Sequence, residues 1–302
     1  MRIGIVHTFA SPCACHATLL AALAALGHEA VECDSEDVPR RAAELARLDL
    51  VFDWTDRFRG EGLLRPVVRR LLEARGARCV GSSADAVFVA DDKLLTKARL
   101  EAAGVPVARG APVTSPDDAR GLDLPFPRVV KPATEHMSRG LGIVRDEREQ
   151  AVAVGAALEA SRGPCLVETY VEGRELGVTG AGNAPDLRIL RAAEWPVAPG
   201  DGVLDYRAKR EGRDPVAADL PPDVEGTLDR LAARAFAALG LADIARFDVR
   251  LAPDGAPFFL EANAIPSLEP GSPTLVSAAA AGLDATALVG ALVACARARH
   301  GR

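Results

Sequence analysis

No run in this chain approaches the roughly 20 consecutive apolar residues of a membrane span. The most apolar stretch, Ala17 to Leu26, is short and alanine-rich. The chain opens Met1-Arg2 and passes straight into the apolar strand pattern Ile3 to Val6, too short for the hydrophobic segment of a secretion signal. Six cysteines at 13, 15, 33, 79, 165 and 295 are too scattered for a disulfide framework. These absences predict a reduced, cytoplasmic protein without a membrane partner. Basic residues are also in deficit, 36 against 42 acidic, for a net charge of −6. A general electrostatic grip on nucleic acid is therefore not expected.

What is present is an ordinary globular composition, with 49% hydrophobic and 26% charged residues over 302 positions. That length accommodates two or three domains and excludes overall disorder. Residues 1–88 alternate strand and helix patterns. Strands are expected at Arg2–Val6, Ala30–Cys33, Leu48–Trp54 and Arg78–Val80, with helices at Ala17–Leu26 and Leu63–Glu73. Such alternation predicts an α/β domain with a parallel, doubly wound sheet. Further on, helices are expected at Asp91–Ala103, Glu147–Ser161, Asp223–Leu239 and Ala285–Ala298. Leu166–Val171 and Glu175–Ala181 read as paired strands around the turn Glu172-Gly173. Ile244–Leu251 and Pro257–Ala262 read as two strands joined at Pro253-Asp254-Gly255. Asp201–Leu220 is charged and weakly periodic, the pattern of a mobile loop.

The chemistry collects after residue 90, and its parts make sense together with a nucleoside triphosphate. Lys93 follows Asp91-Asp92 at a helix start, and Lys131 ends an apolar strand in Val-Val-Lys-Pro. Two lysines on separate elements can neutralise phosphates, although a lysine ending a strand is ordinarily a solvated residue. The loop Glu135-His136-Met137-Ser138-Arg139-Gly140-Leu141-Gly142 follows. Gly140 and Gly142 allow backbone N–H groups close to phosphate oxygens, in a pattern that is neither a Walker loop nor a Rossmann fingerprint. Glu168 to Glu175 places an extended segment, able to pair with an adenine edge, seven residues before a carboxylate able to accept from ribose hydroxyls. A plain hairpin with charged tips is the other reading. Arg246 and Asp248 share one strand face, as do Glu261 and Asn263 on the next strand. Asp248, Glu261 and Asn263 form an oxygen-rich set suited to Mg²⁺. Like charges on neighbouring strands repel unless a cation lies between them.

In order and spacing these motifs resemble the ATP-grasp superfamily, and within it the D-alanine–D-alanine ligase-like branch, over nearly the whole chain. The resemblance implies an α/β domain over residues 1–88, a central ATP-grasp subdomain over 89–172 and a C-terminal one over 173–302, the last two clamping ATP. It implies that Lys93 and Lys131 contact phosphates, aided by Glu135 and Gly140 of the glycine loop. It places Glu168, Tyr170 and Val171 at the adenine, Glu175 at the ribose, and Lys209 at the γ-phosphate. Asp248, Glu261 and Asn263 would hold Mg²⁺ (or Mn²⁺), and Arg246 would stabilise a tetrahedral oxyanion. The implied reaction is carboxylate activation by γ-phosphoryl transfer, followed by attack of an amine on the acyl phosphate. Its partners are small-molecule carboxylate and amine substrates, and the family habit is a homodimer.

Three departures bear on the substrate. Family ligases carry a glutamate just after the first strand; here that loop is His7-Thr8-Phe9-Ala10-Ser11-Pro12-Cys13-Ala14-Cys15-His16, without an acid. One serine of the glycine loop is replaced by Met137, leaving Ser138. The mobile-loop lysine is normally followed by tyrosine, whereas Arg210 follows Lys209. The ATP half is thus kept and the amino-acid half rebuilt, with His7, Ser11, Arg246 and Ser272 as candidate substrate contacts. Arg139 and Arg210 are candidates for an anionic substrate or plain solvated residues. The expected activity is amide formation on substrates other than two D-alanines. The alternatives are a divergent D-alanine–D-alanine (or D-lactate) ligase of peptidoglycan synthesis and a non-catalytic ATP-binding protein. Cys13-x-Cys15-His16 lacks a second ligand cluster for a metal and reads as a loop lining the substrate crevice.

Overall fold

In a computed structural model of the chain, residues 1–134, 140–161, 163–196 and 214–301 are described. The first sheet is built as its sequence pattern predicts. Strands β1 (Arg2–His7), β2 (Glu29–Asp34), β3 (Leu50–Asp53) and β4 (Cys79–Val80) run parallel in the order β2-β1-β3-β4. β3 is buried along its length, as expected for a strand covered on both faces. Helix α1 (Cys15–Ala25) returns the chain from β1 to β2 and packs its Leu19 and Leu23 into the same core as Ile3, Ile5 and Phe52. Helices α2 (Val38–Leu45) and α3 (Arg65–Glu73) cover the other face through Val38, Leu45, Val68 and Leu72. α2 is an element that periodicity did not reveal.

The helix expected over Asp91–Ala103 is present as a single helix, and a further helix that the sequence pattern did not reveal precedes it. α4 (Ala84–Asp91) is capped by the Ser83 hydroxyl, and α5 (Lys93–Ala102) by Asp92, whose carboxylate accepts from the Leu94 and Leu95 N–H groups. The two helices are separated at Asp92, which leaves the helical conformation to act as the N-cap of α5.

The second sheet contains β5 (Gly110–Val113), β6 (Arg128–Pro132), β7 (Gly142–Val144) and β8 (Cys165–Thr169), antiparallel in the order β5-β8-β6-β7. Helix α6 (Glu147–Ser161) packs on it through Val154 and Ala157. The third sheet runs β12-β11-β9-β13-β14, with β10 also on β9. Its strands are β9 (Arg174–Ala181), β10 (Arg188–Ile189), β11 (Ala193–Trp195), β12 (Val216–Ala217), β13 (Ile244–Leu251) and β14 (Pro257–Asn263).

The expected hairpin around Glu172-Gly173 is corrected here. β8 pairs with β5 and β6, whereas β9 pairs with β10, β11 and β13. The turn carries the chain from one sheet to another. Gly173 sits there at φ +136°, where an added Cβ would lie 2.0 Å from the Leu251 carbonyl oxygen, so only glycine permits the crossing.

Helix α7 (Pro222–Ala238) buries Leu228, Leu231 and Phe236 against Phe247 and Phe259 of the third sheet. α4 and α5 join that core through Val87, Val89 and Leu100. After β14 the chain forms α8 (Pro273–Ala280) and α9 (Ala285–His300), and α9 returns to the first sheet, packing Leu288 and Leu292 with Leu19 and Leu23. The two ends of the chain thus share one core. Among the described residues no single helix is long and apolar enough to cross a membrane.

Candidate functional site

The polar residues collect where the second and third sheets face the start of α5. β13 is the organising strand. Arg246, Asp248 and Arg250 alternate along it onto one face, and its neighbours bring partners directly opposite: Asp248 faces Glu261 and Arg246 faces Asn263 on β14, while Arg250 faces Glu175 on β9. Arg246 donates to both Asp248 carboxylate oxygens, from Nε at 2.7 Å and from Nη2 at 3.2 Å. Burial opposes the charge on Arg246. Asp248, through charge and hydrogen bond, with Glu261 and Glu175 behind it, more than offsets that penalty and holds its pKa above the ordinary value.

Lys93 comes from the first turn of α5, and its Nζ lies 3.5 Å from Glu261 Oε2. Its backbone N–H donates to the Ala133 carbonyl, just beyond β6, which fixes the helix start against the end of the Lys131 strand. The repulsion expected between Asp248 and Glu261 is therefore met by two cations of the chain itself, Arg246 and Lys93. The donor set still suits a hard cation: two carboxylates stand opposite one another, and the Asn263 carboxamide, whose oxygen can ligate a cation, follows Glu261 on the same strand face. Among the described residues no cluster of three His, Cys, Asp or Glu could hold a metal, so a third donor would come from Asn263 or from phosphate oxygens.

The second group centres on Glu168 of β8, which is buried. Lys131 Nζ approaches its Oε1 to 2.5 Å, and Lys97 Nζ, from α5, approaches its Oε2 to 3.1 Å. Lys131 and Glu168 lie diagonally across the β6–β8 pair, on one face. The carboxylate expected at the adenine and the lysine expected at the phosphates are thus joined in one buried ion triad. Glu175 is also buried and accepts from Arg250 Nη2 at 3.1 Å, while Arg250 Nη1 donates to the Gly173 carbonyl at 2.9 Å. The Arg250 guanidinium stands 5.7 Å from the Tyr170 ring centroid. Val171 follows Tyr170 in the sheet-to-sheet crossing, partly buried. Gly140 has φ +70°, and a Cβ there would lie 2.9 Å from Pro132 Cγ, so the entry into β7 beside the end of β6 favours glycine. Glu135, Ser138, Lys209 and Arg210 lie outside the described residues.

A separate pocket opens at the C-terminal end of the first sheet, lined by His7, Thr8, Ser11, Cys13, Cys15, His16, Trp54 and Asp56. The rings of His7 and His16 stack at 4.3 Å, and His7 Nε2 is 3.2 Å from Glu32 Oε2. Burial, together with the neighbouring His16, pushes the His7 pKa down despite Glu32. The loop after β1 has no acid of its own, but Asp56, beyond β3, supplies one and accepts from the Ser11 hydroxyl at 2.9 Å. Trp54 Nε1–H donates to the Pro266 carbonyl at 3.1 Å and ties this pocket to the segment after β14. Ser272 sits at the end of that segment, where its hydroxyl caps α8 by accepting from the Leu275 N–H.

Sequence reasoning brought together Arg246, Asp248, Glu261 and Asn263, but it set Lys131 at the phosphates and Glu168 at the adenine without pairing them. It missed Arg250, which shares the Arg246 face two positions beyond Asp248. It also missed Asp56 and Trp54, legible only once β1 and β3 are known to be parallel neighbours.

A parallel α/β sheet followed by two antiparallel sheets, with lysines, carboxylates and an Arg-x-Asp strand between them, defines an ATP-grasp enzyme. The family description "D-ala D-ala ligase C-terminus" matches residues 100–294. A D-alanine–D-alanine ligase of Anaeromyxobacter is 36% identical over 273 residues, covering 87% of this chain and 83% of the relative. The chain belongs to the D-alanine–D-alanine ligase family and is an ATP-dependent ligase. Among solved structures, the D-alanine–D-alanine ligase of Bacillus anthracis complexed with ATP matches with a TM-score of 0.79 at 20% identity, covering 100% of this chain and 99% of that one. The VanG D-Ala:D-Ser ligase of Enterococcus faecalis matches with a TM-score of 0.80 at 18% identity, over 98% and 99% of the two chains.

Proposed function

We propose that the chain joins a carboxylate to an amine through an acyl phosphate, releasing ADP and phosphate, and that its substrates are a pair other than two D-alanines. The observation that carries the substrate half of this reading is the pocket after β1. Its carboxylate, Asp56, comes from the segment after β3 and accepts from Ser11, and stacked imidazoles and two thiols line the wall beside it. A pocket of that composition selects a different amine-bearing substrate from one walled by a single acid on the β1 loop. His7 and Ser11, with Arg246 and Ser272, are the proposed substrate contacts.

In the ATP half, Lys93 and Lys131 would place positive charge on the phosphates, with Glu135 and Gly140 of the glycine loop and with Lys209. Glu168, Tyr170 and Val171 would frame the adenine, and Glu175, oriented by Arg250, would accept from the ribose. Asp248, Glu261 and Asn263 would hold Mg²⁺ (or Mn²⁺), which supplies neutralisation of triphosphate charge and in-line positioning. Arg246 is held by Asp248 on a strand and would meet the tetrahedral oxyanion with little reorganisation. Ser138 and Arg210 complete the proposed catalytic set. The division at residues 1–88, 89–172 and 173–302 and a homodimer belong to the same proposal.

Substrate-dependent ADP release with Mg²⁺-ATP, across D- and L-amino acids and simple carboxylates with product masses read in parallel, tests the reading. Turnover with a pair other than D-alanine and D-alanine is expected. A D-alanine dipeptide formed at ordinary ligase rates would instead favour a divergent peptidoglycan ligase.

The nucleotide half has its own test. Lys131→Ala removes one phosphate contact while Lys97 still compensates Glu168, so the fold is kept. The dissociation constant of Mg²⁺-ATP, read by calorimetry, is expected to rise about 10- to 100-fold, as for loss of one charge-assisted hydrogen bond. An unchanged constant would remove Lys131 from the nucleotide site.

A further inference from the structure

Cys13 and Cys15 line the proposed substrate pocket, but the ligase reading gives their thiols no chemistry. Their sulfur atoms lie 2.9 Å apart in an S–H···S hydrogen bond, Cys13 the donor. Cys15 is the first residue of α1, where backbone N–H groups and the helix dipole favour an anion. Its Sγ also accepts from the Leu268 N–H at 3.2 Å and lies 3.6 Å from the Ser267 hydroxyl. The Cys13 hydrogen bond, the Leu268 N–H and Ser267 outweigh burial and bring the Cys15 thiol down to about 7. Cys13, as donor to Cys15 and partly buried, is pushed up. The first of the pair's two protons therefore leaves Cys15 more readily than an ordinary thiol, and the second is retained on Cys13. Cys13 is the more open member, and both sulfurs line the pocket shared with His7, His16 and Asp56. The other four cysteines have no such thiol partner among the described contacts, and three of them, Cys33, Cys79 and Cys165, are buried.

We propose that Cys13 and Cys15 form a redox-active dithiol that closes reversibly to an intramolecular disulfide by exchange with a small-molecule disulfide, and that closure frees the segment following β14 from α1. In the first step one sulfur, as thiolate, attacks the small disulfide; a mixed disulfide forms and one small thiolate leaves. The second cysteine, having lost its proton, attacks the protein sulfur of that mixed bond, and the second small thiolate leaves. Two electrons pass from the protein thiols to the small disulfide, and the two protons end on the two small thiols. A disulfide sulfur is neither an anion nor a proton donor. Closure therefore removes the S–H···S bond and weakens the acceptor that holds the Leu268 N–H. Ala14 lies between the two cysteines, and its N–H donates to Glu269 Oε1 at 2.8 Å. Drawing the cysteines together shifts that amide as well. The affected segment joins Asn263, a proposed metal donor, to Ser272, a proposed substrate contact, so the thiol state bears on both. This inference does not depend on which substrates the ligase takes.

The test uses the full chain equilibrated with graded ratios of oxidised to reduced glutathione, then alkylated, digested and weighed. The peptide bearing Cys13 and Cys15 is expected to lose two hydrogens and escape alkylation as the ratio rises, and to regain both alkyl groups in excess thiol. In Cys13→Ser the resolving sulfur is absent, so a glutathione mixed disulfide is expected to persist on Cys15. Hydrogen exchange over residues 265–271 is expected to quicken about 5-fold in the oxidised wild type relative to the reduced wild type, the size of one lost hydrogen bond. Free, fully alkylated Cys13 and Cys15 at every ratio, or mixed disulfides that never close, would overturn the dithiol. Closure with unchanged exchange at Leu268 would overturn its coupling to the segment. The wild-type results decide both points even if the variant fails to fold.

Discussion

Glu261→Ala is expected to lower kcat about 10²- to 10³-fold, the scale found when one charge-stabilising group leaves a preorganised site. Glu261 faces Asp248 across β13 and β14 and pairs with Lys93, so its loss removes a proposed Mg²⁺ donor together with that ion pair. The fold is expected to survive, because the Lys93–Glu261 pair is loose at 3.5 Å and the glutamate side chain keeps partial solvent access. Raising the Mg²⁺ concentration is expected to recover part of the rate if weakened metal binding is the cause. Steady-state ADP release across a Mg²⁺ series reads this directly. Wild-type turnover in the variant would remove Glu261 from the site.

Asp243→Ala is expected to have the largest effect on stability, a loss of about 3–5 kcal/mol, as for breaking a buried charge network by removing one member. Asp243 is fully buried and accepts from the Gly81 N–H at 2.8 Å, Asn183 Nδ2 at 2.6 Å and Arg299 Nη2 at 2.7 Å. It therefore ties the end of the first sheet, the end of β9 and the last helix to the start of β13. Its backbone is also left-handed, at φ +61°, a conformation aspartate tolerates better than alanine. Asp243→Asn keeps that tolerance and one acceptor oxygen, so a smaller loss is expected. Chemical denaturation of the two variants beside the wild type measures the difference. Equal midpoints for Asp243→Ala and the wild type would show that the α9 anchor lies elsewhere.

The parallel sheet was legible because alternating apolar strands and glycine-terminated helices leave little choice of architecture. β13 and β14 were legible for a related reason: Pro253-Asp254-Gly255 marks the turn, and polar residues two apart must share a face. The Glu172-Gly173 turn misled because local sequence cannot distinguish a hairpin from a passage between sheets. The determining fact is the Leu251 carbonyl against Gly173, a contact between residues 78 positions apart. Asp56 was hidden in the same way, since only strand order puts it beside Ser11. The family motifs gave the ATP half named positions because phosphates demand lysines and metal-binding oxygens at fixed places on rigid strands. The substrate half is built from loops, whose composition tells which side chains are present and not which of them meet.

The most direct measurement follows a heavy oxygen isotope placed in the carboxylate of whichever acid supports ADP release. Ligation through an acyl phosphate predicts one labelled oxygen in the released inorganic phosphate for each amide formed. Label retained wholly in the product or unreacted acid, with unlabelled phosphate, would contradict carboxylate activation by this chain.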